Sequence, residues 1–142
     1  MLPRKIENTV ELKTRRTANS KEFMHPDGSL SIELSASPLH FKSKTGVWQD
    51  FDNTLVESPL PGFAYVNKSN FYHIHFAADN KNGPLVRLSL DDDHYIHLSP
   101  SVRFDATGTI ADNCIEYKKI QPGVALRYAV CSGKVKEEIV IG

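Results

Sequence analysis

The groups best suited to chemistry in this sequence are its imidazoles, at His25, His40, His73, His75, His94 and His97. His73 and His75 stand two residues apart in a segment of alternating character, so both rings leave one face of a strand. Antiparallel pairing with the segments that follow adds Arg87, Tyr95 and His97 to that face. Zinc would need three or four ligands converging at about 2.0–2.3 Å. Imidazoles spread over a flat sheet do not converge in this way, so no metal and no cofactor is expected. The group is instead suited to recognition. Tyr95 offers a ring to the apolar side of a sugar, while Arg87 and the histidines donate hydrogen bonds to hydroxyls. Binding sites combine an apolar platform with a few oriented polar groups in this manner. Two plainer readings stand beside it: a solvated polar face, and a face covered by a neighbouring domain.

The remaining reactive residues point away from catalysis. Asp91-Asp92-Asp93 supplies hard oxygen ligands, but calcium draws about six to eight oxygens from alternating positions and backbone carbonyls, so a tight acidic turn is expected. Glu137 and Glu138 are adjacent on a strand and face opposite ways, which excludes an acid–base pair. Asp50 and Asp52 share a face of the strand around Trp48 and resemble a carboxylate dyad. No histidine or cleft can be assigned beside them, so hydrogen bonding to a neighbouring turn is the expectation. A glycan hydrolase would need two carboxylates roughly 5–9.5 Å apart across a groove, and Asp50, Asp52 and Asp91 to Asp93 are the clusters from which they would come. Trp48, the only tryptophan, sits between Val47 and Phe51 and reads as a core or loop anchor. No catalytic residue is assigned.

Strands must position all of these groups. Apolar and polar residues alternate through most of the chain and turn signals recur about every eight to twelve residues, the pattern of short antiparallel strands. Over 29–36, Leu30, Ile32, Leu34 and Ala36 fall on one face, expected to be buried, after a Pro26-Asp27-Gly28 turn. The prolines at 59 and 61 make 59–62 a loop. Strands are expected over 71–78, 85–90 and 95–98, joined through Asn82-Gly83 and the acidic turn. Pairing Tyr72 with Leu90, Ile74 with Leu88 and Phe76 with Val86, then Leu88 with Ile96 and Val86 with Leu98, collects every apolar member on one face. The same register sets His73, His75, Arg87, Ser89, Tyr95 and His97 together on the other, and a slip of one residue would scatter them.

A second hairpin is symmetric about Pro122-Gly123, a good type II turn pair. Ile115 then faces Val130, Tyr117 faces Tyr128, and Cys114 lies across from Cys131. That spacing suits a disulfide if the pair is not hydrogen-bonded, so a bridge is expected under oxidising conditions, with two buried free thiols as the alternative. A last strand runs over Val135–Ile141.

Composition bounds the function. The chain of 142 residues, 40% hydrophobic and 24% charged, has the profile of one globular domain spanning 1–142. Seventeen basic residues balance seventeen acidic ones, and no basic stripe is present, which argues against a general nucleic-acid binder. No stretch approaches the ~18 apolar residues of a membrane span, so membrane insertion is not expected.

Several segments resemble the N-terminal region of bacterial wall-associated proteins of the Rhs/YD-repeat class. They are Arg16-Thr17-Ala18-Asn19-Ser20-Lys21, Pro26-Asp27-Gly28 and Trp48-Gln49-Asp50-Phe51-Asp52-Asn53-Thr54-Leu55. Near the end, Gln121-Pro122-Gly123-Val124-Ala125-Leu126-Arg127-Tyr128 and Val135-Lys136-Glu137-Glu138 extend the match, so it runs in family order over nearly the whole chain. The resemblance implies a β-sandwich-rich, non-catalytic region of a very large surface or secreted protein, and it supplies no catalytic residues to transfer.

The expectation is therefore an all-β antiparallel β-sandwich with mostly meander connections, jelly-roll-like closure remaining open. The expected role is a non-enzymatic scaffold or glycan-binding module of a secreted or cell-surface bacterial protein. Its partners would be cell-envelope glycan or neighbouring domains of the parent chain. A structural capping or spacer domain is the alternative, and a glycan hydrolase a further one.

Overall fold

Alternation becomes strand pairing throughout a computed structural model, which describes residues 8–142. Those residues contain no α-helix, only a short 3-10 turn at Lys13–Arg15. They form two compact units, divided between Phe51 and Asp52.

In the first unit β1 (Val10–Glu11), β2 (Ser20–Met24) and β3 (Leu30–Leu34) make a three-stranded antiparallel sheet, and β4 (His40–Lys42) pairs with β5 (Trp48–Asp50) as a hairpin. Gly28 takes φ +83° in the turn before β3, a conformation that costs glycine little because it has no Cβ. The expected burial of the β3 apolar face is overturned: Leu30, Ile32 and Leu34 are 51%, 60% and 78% exposed, and Ala36 is exposed as well. Alternation sorts side chains onto faces but does not supply the layer that covers them. A charged side chain is buried in this unit instead. Arg16, whose side chain is 7% exposed, donates from Nη2 to Glu11 at 2.9 Å and to Asp50 at 3.2 Å, and from Nη1 to the Trp48 carbonyl.

The second unit is a β-sandwich. One layer is a five-stranded antiparallel meander with strand order β10–β9–β8–β7–β6, built from β6 (Asp52–Glu57), β7 (Tyr65–Ser69), β8 (His73–Phe76), β9 (Val86–Ser89) and β10 (Tyr95–Leu98). The other is a four-stranded meander of β11 (Thr109–Ala111), β12 (Cys114–Gln121), β13 (Val124–Val130) and β14 (Val135–Ile141). The sheets do not close into a barrel. Their inner faces share one core, in which Phe76, Leu85, Ile115, Tyr117 and Val130 are fully buried. The phenol of Tyr117 stays dry because its hydroxyl donates to the Ala77 carbonyl at 2.7 Å. Gly108 leaves room for buried side chains of β12: a Cβ there would stand 2.7 Å from Ile115 Cδ1 and 2.8 Å from Tyr117 Cε1.

The register expected for the middle strands is the one observed. Ile74 pairs with Leu88 and Phe76 with Val86, while Ile96 pairs with Leu88 and Leu98 with Val86. The C-terminal hairpin departs from expectation by two residues. Near the turn Gln121 pairs with Val124, as symmetry about Pro122-Gly123 requires, and Gly123 has φ +74°. Between Gln121 and Tyr117 a bulge intervenes, with Lys119 at φ +56°, and beyond it Tyr117 pairs with Leu126, Ile115 with Tyr128 and Cys114 with Ala129. A bulge adds residues to one strand only, which symmetry about a turn cannot register. The expected Cys114–Cys131 bridge is corrected accordingly: the two residues are not opposite, and both thiols are free and half-buried.

Candidate functional site

Register alone builds the polar face. Across β8, β9 and β10 one row reads His73, Ser89, Tyr95 and the next reads His75, Arg87, His97. Alternation on β7 extends the face with Val66, paired with His75, and with Lys68 two residues on. Tyr95, His97 and His73 are exposed; Arg87 and His75 are half-buried; Ser89 is buried and donates to the His73 carbonyl. The sequence-predicted residues therefore share one surface, with Tyr95 pointing outward rather than into the core.

Their roles differ once contacts are known. Arg87 lies flat on Tyr95, with Cζ 3.6 Å from the ring centroid, a cation–π stack that holds both groups and covers one face of the ring. The His97 ring packs 5.2 Å from Tyr95. His75 is set deeper. Its Nδ1 hydrogen-bonds Ser58 Oγ at 2.8 Å, and its ring lies 5.7 Å from Phe63. Burial, then the neighbouring His73 and Arg87, hold the His75 imidazole down at about 4, so it is neutral at physiological pH. His75 braces the face.

At the end of these strands lies a cavity of about 490 Å³. Arg87 and His97 enter it from the sheet, Phe63 forms a wall, and the Pro61-Gly62 and Gly83-Pro84 loops form the rim. Its carboxylate, Asp79, accepts from the Lys81 backbone N–H at 3.0 Å. Phe63 and Ser58 were outside the sequence reading because they flank a loop, where no strand register reaches. The only signal was an aromatic directly after the 59–62 loop.

A larger groove of about 670 Å³, predominantly apolar, is lined by residues of β8 to β10, Tyr95 at its margin among them, and by Tyr128 and Val135 of the second sheet. Ile96 and Leu98 share the inner face with Leu88 and Val86 as expected, yet they are 54% and 48% exposed. On β14, Ile139 pairs with buried Leu126 and is itself exposed, so the sandwich is open at this edge.

The carboxylate clusters are engaged elsewhere. Asp91 accepts from the backbone N–H groups of Asp93 and His94 and from the His94 ring, each at 2.8 Å, making the tight acidic turn expected. Asp50 and Asp52 fall on different strands, since pairing breaks at Phe51. A histidine does stand beside Asp50: the β4–β5 register places His40 across from it, with Nε2 3.5 Å from Asp50 Oδ1 and Nδ1 donating to the Thr17 carbonyl. Arg16 and Lys21 also reach Asp50. Trp48 is half-buried, with Lys42 Nζ 4.9 Å from its ring centroid. Among the described residues no group of three or more potential ligands is arranged to hold a metal, and no helix is long and apolar enough to cross a membrane. Comparison of the chain with family models, with curated proteins and with solved structures finds no match.

Proposed function

We propose that this chain is a non-enzymatic binding module of a large bacterial surface or secreted protein, and that cell-envelope glycan binds the face of Arg87, Tyr95 and His97. The observation that carries the reading is that Arg87, held against the Tyr95 ring, lines a 490 Å³ cavity of mixed character together with His97 and Phe63. Preorganised donors next to aromatic walls suit a saccharide, which has hydroxyls around its rim and apolar C–H faces. The resemblance to the Rhs/YD-repeat class supports placement in a surface or secreted parent. A glycan array followed by titration of the Arg87→Ala, Tyr95→Ala double variant tests it. Wild-type protein binds and the double variant does not; binding that survives both substitutions excludes this face.

The open sandwich edge favours a second reading, a structural capping or spacer domain. Ile96, Leu98 and Ile139 are apolar inner-face residues left uncovered, and such patches often mark contact surfaces. Burial of this edge in the longer parent protein, together with no glycan binding, would favour it.

A further inference from the structure

The charge pattern of the face selects among glycans, an inference that rests on the binding reading above. The four strands β7, β8, β9 and β10 contain no Asp or Glu. The face they present carries Arg87 at its centre, Lys68 toward β7 and the imidazoles of His73 and His97. Lys68 is matched by Asp52 at 3.8 Å. Arg87 has no such match: among the described residues no carboxylate oxygen lies within 4.0 Å of its guanidinium, and its contact is the Tyr95 ring. Stacking occupies the flat face of a guanidinium and leaves its in-plane N–H groups free for an acceptor. Arg87 borders the 490 Å³ cavity, which also holds Asp79, one of whose oxygens accepts from the Lys81 backbone N–H.

We infer that the ligand is an acidic saccharide whose carboxylate is taken in plane by Arg87, with His97 beside it and the sugar ring against Phe63. Neutral sugars can accept hydrogen bonds from such a face but leave the charge of Arg87 unmatched. A carboxylate gains charge-assisted hydrogen bonds, each stronger than its neutral counterpart.

Calorimetric titration of the 142-residue chain with a uronic-acid-containing oligosaccharide and its carboxyl-reduced counterpart tests this. The acidic form is expected to bind at least about tenfold more tightly, the margin of a charged hydrogen bond over a neutral one. Arg87→Gln should erase the difference, and Arg87→Lys, which keeps the charge but not the planar fork, should restore only part of it. Equal affinity for the two saccharides overturns the acidic preference while leaving glycan binding standing. A preference that persists in Arg87→Gln overturns the assignment to this residue. Binding of neither saccharide counts against both readings.

Discussion

Replacing His75 with Asn should make the second unit resist mild acid better relative to neutral pH than the wild type does. In the folded protein the imidazole lies at about 4, mainly through burial, against 6.5 for the ordinary ring. Between these values the unfolded chain binds a proton that the folded chain refuses, so acid favours unfolding. The stability held by neutral His75 is fully present above 6.5 and is lost as pH falls toward 4. At pH 5 the unfolded ring is almost wholly protonated and the folded one almost wholly neutral, which integrates to about 2 kcal/mol relative to pH 7. The ring is only half-buried, and solvent screening reduces this to about 1–2 kcal/mol. The assay is urea unfolding at pH 7 and pH 5 for both proteins, comparing the change in stability within each. The Asn variant loses the Ser58 contact geometry at both pH values, so only the difference of differences matters. Equal pH dependence in the two proteins would refute the account of His75 as a ring held neutral beneath the face.

Further expectations concern other parts of the fold. Tyr117→Phe strands the buried Ala77 carbonyl and should cost about 1–2 kcal/mol in chemical denaturation. Arg16→Gln leaves the Glu11 carboxylate, which the guanidinium holds below its usual range, without its ion pair. It should destabilise the first unit by about 1–3 kcal/mol, read through the fluorescence of Trp48, the single tryptophan, whose carbonyl Arg16 also binds. Thiol titration of unreduced, unfolded protein should find both Cys114 and Cys131 reactive; no reactive thiol would restore the bridge expected from symmetry.

The histidine face was legible in the sequence because three short consecutive strands leave a single register in which Ile74, Leu88 and Ile96 align, and a period of two does the rest. The same reasoning failed at Cys114. The bulge around Lys119 is a local backbone rearrangement that hydrophobic alternation does not register, with Lys118 and Lys119 exposed. Burial was the other weak point. Leu30, Ile32 and Leu34 and, on β10, Ile96 and Leu98 have the alternation of core strands, but whether a second layer reaches them depends on sheet extents set far away in the chain. The cavity wall at Phe63 and the Ser58 brace were illegible because both lie at loop ends. The Arg87–Tyr95 stack was half legible: register placed the residues on one face, and side-chain geometry decided that they hold each other.

The most direct test of the central claim is a map of ligand contacts. In an NMR titration of the isotopically labelled chain with an acidic cell-envelope oligosaccharide, saturable shifts should concentrate on Arg87, His97 and Phe63 around the 490 Å³ cavity, leaving Ile96 and Leu98 on the opposite side of β10 little changed. Shifts centred on the apolar groove, or none at saturating ligand, would contradict it.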